Sequence, residues 1–206
     1  DGIFYAPKML VYYAITKDLL NTTDSTYLEI MNSKTKTLIT SKTILHDGQL
    51  IYLAYPQTQI SFEQQYKIEF TSIPNTRSYE LIIRFHYAEQ YVNDIESRTY
   101  HYFDWTFPTF VTRDLLGGEK VKFQYITEEF YSLITNRIDE TSDKERFYGQ
   151  IEILLGSADN NLYTYIDVNK PSASLVSDHQ VFTNIENGYG IFAARSNGGG
   201  FYYMSP

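Results

Sequence analysis

Period-two alternation constrains this chain more than any other feature. Tyr66, Ile68 and Phe70 alternate with Lys67, Glu69 and Thr71. Leu81, Ile83, Phe85 and Tyr87 lie opposite Ile82, Arg84 and His86. The spacing returns at His101, Phe103, Trp105 and Phe107, at Val121, Phe123 and Tyr125, and at Ile151, Ile153 and Leu155. Successive side chains of an extended strand point to opposite faces, so each stretch presents one apolar face that must be buried. The composition agrees. Aromatic residues make up 17% of the chain, with 20 Tyr, 13 Phe and one Trp, and such residues fit half-buried strands. The chain has 206 residues, 43% of them hydrophobic, enough for a core in one large domain or two small ones.

The expected fold is mainly β: an immunoglobulin- or fibronectin-like β-sandwich with one or two short helices, preceded by a small strand-rich subdomain. The subdomain spans 1–56 and is read as N-terminally incomplete; the sandwich with its helical insertions spans 57–206. In the first region Leu10–Ile15 and Leu50–Ala54 read as strands. Tyr27–Met31 and Thr37–Ile44 read as a hairpin turning at Asn32-Ser33-Lys34. Pro56 marks a soft boundary. In the second region the strand at 66–71 is expected to pair with Leu81–Tyr87 across a turn at Pro74-Asn75. Residues 88–98, with Glu89, Asp94 and Glu96, read as an exposed loop. Thr127 is expected to cap a helix carrying Glu128 and Glu129 in its first turn, with Phe130, Leu133, Ile134 and Ile138 at helical spacing and Arg137 near its end. Ser157 or Asp159 is expected to cap a second helix bearing Leu162, Tyr165 and Ile166, closed by Pro171. The last element is expected from Val181 to Ala194, with Gly198-Gly199-Gly200 a flexible spot. Phe201-Tyr202-Tyr203 reads as a final strand or a contact surface.

Charge and composition exclude several functions. The net charge is −8, from 17 basic and 25 acidic residues, and no basic cluster exceeds Lys120-Val121-Lys122. Nucleic-acid binding, which runs on Lys and Arg against phosphate, is not expected. No apolar run approaches the ~20 residues that cross a bilayer, so no transmembrane segment is expected. With no cysteine there is neither a disulfide nor a thiolate site. The start at Asp1 reads as a mature, a trimmed or an engineered form.

No constellation of side chains announces catalysis. His86 and His101, with Glu89 and Asp104, are the residues nearest to a metal set, but their spacing matches no compact ligand motif and Arg84 adjoins them. Solvated histidine is the simpler account. Glu128 and Glu129 suit a helix N-terminus better than a carboxylate pair across a cleft. There is no Gly-x-Ser-x-Gly, and Gly198–Gly200 lacks the lysine and the helix of a phosphate loop. No cofactor, metal or catalytic residue is expected. The aromatic surplus supports one sharper hypothesis. Tyr91, Tyr100, Tyr102 and Trp105 are candidate stacking surfaces for sugar rings. Trp105 also alternates with Phe103 and Phe107, which is a core pattern.

The segment Phe182-Thr183-Asn184-Ile185-Glu186-Asn187-Gly188-Tyr189-Gly190-Ile191-Phe192 resembles the C-terminal signature of a family of Bacteroidetes cell-envelope lipoproteins of unknown function, the domain numbered four-two-four-nine or a sister group. Gly2-Ile3-Phe4-Tyr5, the strand Leu81 to Tyr87 with Glu89, and Gly117-Gly118 followed by Glu129-Phe130-Tyr131 are similar to the same group. The resemblance implies an extracytoplasmic location and anchoring to the outer membrane through an N-terminal lipid. It further implies an outer-membrane receptor or other envelope protein as partner. It carries no catalytic residues. By its residues alone, Asn187-Gly188 suits a turn that needs positive φ, and Ile191 and Phe192 are expected to enter the core. The expected function is therefore a non-enzymatic binding or structural module of the envelope. A glycan-binding module and a carboxylate-dependent hydrolase are the alternatives.

Overall fold

A computed structural model describes residues 13, 15, 24–46, 65–138, 142–170 and 182–203. The sequence expectations at Gly2–Tyr5, Leu50–Ala54, Pro56 and Pro171 lie outside them, as does most of Leu10–Ile15.

The fold is mainly β, with antiparallel sheets and two helices. In chain order the elements are β1 (Ser25–Met31), β2 (Leu38–Ile44), β3 (Gln65–Thr71), β4 (Ser78–Tyr91), β5 (Asp94–Thr106), β6 (Phe110–Val111), β7 (Lys120–Ile126), α1 (Thr127–Arg137), β8 (Lys144–Ala158), α2 (Asn160–Val168) and β9 (Arg195–Tyr203). The largest sheet runs β5-β4-β8-β9, with β6 beside the start of β4; β1–β2 and β3–β7 are two-stranded.

The core forms where alternation predicts it. Tyr79, Leu81, Ile83 and Phe85 of β4 and Ile151, Ile153 and Leu155 of β8 are buried on one face of the large sheet. Ile68 of β3, Val121, Phe123 and Tyr125 of β7, and Phe130 and Ile134 of α1 close over that face. Burying an aromatic or large aliphatic side chain contributes about 1.5–3 kcal/mol each, so this cluster is the main source of cohesion. Aromatic rings join the layers: Phe70 meets Tyr79 edge-on at 5.0 Å and Phe85 meets Phe130 at 5.8 Å.

Several expectations change in the structure. β3 pairs with β7, not β4, with Ile68 opposite Phe123. The Pro74-Asn75 turn carries the chain from one layer to the other: Asn75 takes a φ of 63°, its N–H donates to the Leu115 carbonyl, and the Tyr79 hydroxyl accepts from the Ile73 N–H. Residues 88–98 are mostly strand. β4 and β5 pair beyond Ala88, and only Val92-Asn93 separates them, with Asn93 at φ 62°. Glu89 suggested solvent exposure but has cross-strand partners, Lys144 at 3.1 Å and Arg146 at 2.8 Å.

The closing strand is β9. It contains Gly198–Gly200, and the stretch before it, Phe182–Ala194, is not a strand. Gly199 lies so close to β8 that a Cβ there would overlap the Ile153 carbonyl oxygen, so this strand position requires glycine. Between Phe85↔Ile151 and Tyr87↔Tyr148 the β4–β8 register shifts, and Gly149 sits in this bulge, where a Cβ would lie 2.6 Å from the His86 oxygen.

α1 has Glu128 and Glu129 in its first turn and Arg137 in its last, as expected, but its N-cap is Ile126 with no side-chain bond. Thr127 is instead the first helical residue. Asp159 caps α2, accepting from the Leu162 N–H at 2.8 Å, whereas Ser157 belongs to β8.

Candidate functional site

The hairpin β1–β2 forms as the sequence predicts. Asn32 Oδ1 accepts from the Lys34 and Thr35 N–H groups in the turn, and the strands pair from Ser25↔Ile44 to Met31↔Leu38. The hairpin lies beside the start of α2 and the loop 184–186, and the three enclose a cleft of about 590 Å³. A cleft of this volume suits a small-molecule ligand.

Four stretches line the cleft. Ser25, Tyr27 and residues 40–44 come from the hairpin, and Asp159, Asn160 and Asn161 from the start of α2. Asn184 and Glu186 come from the loop, and Asn75 and Leu115 from the paired turns below β4. Hydroxyl- and carboxamide-bearing residues make up most of this lining. A carboxamide offers both donors and acceptors, and a hydroxyl offers both on one atom. Tyr27 is 69% exposed and adds an aromatic ring.

The carboxylates in the cleft already have partners. Asp159 accepts from the Leu162 N–H through Oδ1 and from the Thr43 hydroxyl through Oδ2. Glu186 accepts from the Thr40 hydroxyl at 2.8 Å. Asn184 pins its own loop, donating to the Phe192 carbonyl at 2.7 Å and accepting from the Phe192 N–H at 2.9 Å. Its carbonyl accepts from the Ser41 hydroxyl at 2.7 Å. Thr183 bonds across the same loop to Gly190, and Asn187 turns it at φ 57° while donating to the Leu38 carbonyl. The 182–192 segment is thus a hydrogen-bonded wall of the cleft, with Ile191 and Phe192 only half-buried.

Below this wall lies the arrangement closest to nucleophilic catalysis. His46 Nε2 is 3.0 Å from Ser157 Oγ, and Ser157 Oγ contacts Ser196 Oγ. In a working triad a carboxylate holds the other ring nitrogen. Here His46 Nδ1 is buried and has no hydrogen-bond partner among the described residues, and Asp159 turns its oxygens to Thr43 and Leu162. Both Ser157 and His46 are buried, and neither lines the cleft. Burial lowers the His46 pKa, with a hydrogen bond to the Ser157 backbone and the Asp159 charge opposing in part, which favours the neutral ring. No sequence signal pointed to His46, because its partners lie more than a hundred positions away.

The four aromatic candidates do not gather. Tyr100 and Tyr102 lie on the outer face of the large sheet, 81% and 59% exposed. Trp105 has the opposite parity. It packs against the core, with ring centres 4.7 Å from Phe107, 5.7 Å from Tyr125 and 6.0 Å from Phe130. Tyr91 is exposed at the far end of β4, under the Lys144 ammonium at 5.9 Å.

The histidine–carboxylate set is dispersed as well. His86 pairs with Glu152 at 3.1 Å on the outer face, whereas His101 stacks on Tyr87 on the inner face. Asp104 is bound in bidentate fashion by Arg84, whose guanidinium sits 4.3 Å from the Tyr102 ring centre. That pairing lowers the Asp104 pKa and raises that of Arg84. Among the described residues no group of three or more His, Asp or Glu could hold a metal ion, and no helix is long and apolar enough to cross a membrane.

No family model matches the chain, and searches of curated proteins and of solved structures return no match either.

Proposed function

We propose that this chain is a non-enzymatic binding module that holds a small, neutral, polyhydroxylated ligand, of the saccharide class, in the cleft between β1–β2, α2 and the 184–186 loop. The observation that carries this reading is the lining. Hydroxyl and carboxamide groups from four separate stretches converge on one space, and its carboxylates already accept hydrogen bonds within the protein. Such a wall matches a ligand that carries hydroxyls on a carbon frame. A role without catalysis is supported by the buried His46–Ser157 pair, which lacks a carboxylate on Nδ1 and stands apart from the cleft. An envelope location, with an outer-membrane receptor or another envelope protein as partner, is supported by the resemblance of residues 182–192 alone. For the fold, an immunoglobulin-like sandwich is the finer reading, supported by the packing of β3–β7 and α1 against one face of the large sheet.

Calorimetric titration with a panel of neutral mono- and oligosaccharides tests the reading. Binding is expected for at least one class. Asn161→Ala and Tyr27→Ala are each expected to weaken it about five- to tenfold, the size of one lost hydrogen bond or contact. If no saccharide binds, or if both substitutions leave affinity unchanged, the reading fails.

A second reading places a saccharide on the outer sheet face. Exposed Tyr100 and Tyr102, side by side in parity above the Arg84–Asp104 pair, favour it. Loss of binding on Tyr102→Ala with Asn161→Ala neutral would select this surface over the cleft.

A further inference from the structure

The hairpin that walls the cleft is attached differently from the rest of the molecule. The buried side chains of the hairpin and of the two residues that follow it are Ser41, Thr43 and His46, all polar, and each is hydrogen-bonded to the body at Asn184, Asp159 or Ser157. None of its described residues belongs to the central hydrophobic cluster. Ile39, beside Ile185 at Gly188, brings aliphatic surface to the joint. The Thr40–Glu186 bridge completes the attachment, with the Glu186 N–H donating to the Thr40 carbonyl at 2.9 Å. Apolar burial resists opening because water offers nothing in return, whereas water can replace each partner of a hydrogen bond. A polar joint therefore separates more readily than the packed face of β4 and β8.

We propose that β1–β2 is a hinged wall that swings to admit ligand to the cleft, latched at its base by the hydrogen bond between His46 and Ser157. The proposal rests on the cleft being the binding site. Protonation would keep the bond to Ser157, which favours the charged ring, but it would put a charge into a buried joint. His46 is 6% exposed, and its buried Nδ1 has no acceptor among the described residues.

Among the described residues, the stretches of the surrounding elements near His46 carry Asp159 before α2, Lys42 on β2, and Arg195 on β9, which reaches Glu80 of β4 at 4.0 Å. Of these, the Asp159 charge acts on the ring and favours its proton, but burial outweighs it. The sign follows. A histidine whose pKa is depressed on folding leaves the closed state fully favoured above the unfolded value of about 6.5 and progressively less favoured as pH falls below it. Acidification therefore unlatches the wall.

The absence of cysteine makes the test clean. Thr40 and Glu186 face each other as an antiparallel hydrogen-bonded pair, with an expected Cα separation of about 5.5 Å, within disulfide range. The double substitution Thr40→Cys with Glu186→Cys should lock the wall when oxidised. Hydrogen exchange on the full chain without ligand, corrected for intrinsic rates, is then compared between pH 7.5 and pH 5.5.

In the unmodified protein, the Thr40 and Glu186 amides, which bond across the joint, are expected to exchange at least tenfold faster at the lower pH, while those of Leu81–Phe85 hold. Oxidised locking should abolish the difference, reduction should restore it, and His46→Gln should remove the pH dependence at either redox state. Amides at 40 and 186 as protected as those of β4 at both pH values would overturn the proposal, and so would a pH effect that persists in His46→Gln. A locked protein that still binds saccharide at the unmodified rate would overturn the gate and spare the cleft reading. Opening observed in a protein that binds no saccharide would sink the cleft reading and, with it, the gate's role in ligand entry.

Discussion

Phe85 shows how much a single alternating position can decide. It is fully buried and touches Phe103, Phe130, Tyr87 and Tyr148 with ring centres within about 6 Å. Phe85→Ala would leave a cavity at the junction of two layers and is expected to cost about 3–5 kcal/mol, read from the midpoint of a urea titration. Gly199→Val tests a different residue-scale constraint. Its Cβ has no room against the β8 backbone, so the substitution should detach β9 locally, seen as lost amide protection at 198–200 with β4 unchanged. Parity was legible at this scale: the inward set of β4 and β7 follows directly from the sequence. What parity could not say is which neighbour each strand takes. The separation of Trp105 from Tyr102 was present in the odd and even numbering. Sequence proximity nonetheless grouped them as one candidate surface, and the structure puts them on opposite faces.

Among the elements, the outcome turns on local charge and capping. Asp159 serves both α2, as its N-cap, and the hairpin, through Thr43. Asp159→Ala should therefore cost more than an ordinary cap, about 1–2 kcal/mol for the helix end alone. It should also speed exchange at Thr43, which substitution at a simple cap would not do. From the sequence Glu89 reads as a loop residue, because acidic residues are usually solvated. Here it sits in β4, paired to Lys144 and Arg146 of β8. Glu89→Gln is expected to destabilise by about 1–3 kcal/mol and to fray the far end of β4 and β8, measured by thermal melting and exchange at 144–147. The hairpin β1–β2 and both helices were legible because their signals are local. The β3–β7 pairing, the long β4–β5 hairpin and the glycine-bearing β9 were not, since each is settled by partners far along the chain.

For the molecule as a whole, the titrating groups predict an asymmetric stability profile. Hydrogen bonds from Arg84 hold the Asp104 carboxyl below its ordinary value, and those from Arg146 and Lys144 do the same for Glu89. Their contributions are present above the unfolded carboxylate range near pH 4 and are lost as pH falls through the lower folded values. The His46 contribution is lost earlier, as pH drops below about 6.5. Acid titration is thus expected in two stages: a local loosening of the hairpin joint, then global loss of structure well below pH 4. Of the candidate site, Asn184 and Glu186 stand in the segment that carries the resemblance, while Tyr27, residues 40–44, Asn75 and Asp159 read in the sequence only as strand, turn or cap. The cleft joins that segment to Tyr27, Asn75 and Asn161, and nothing local in those stretches signals a shared wall. The claim on which the function rests is that this wall recognises hydroxyl-rich ligands. Amide chemical-shift mapping of the full chain against a neutral oligosaccharide panel tests it most directly. Saturable shifts at Tyr27, Thr43, Asn161 and Asn184 are predicted. Shifts confined to the Tyr100–Tyr102 face, or none with any saccharide, would contradict it.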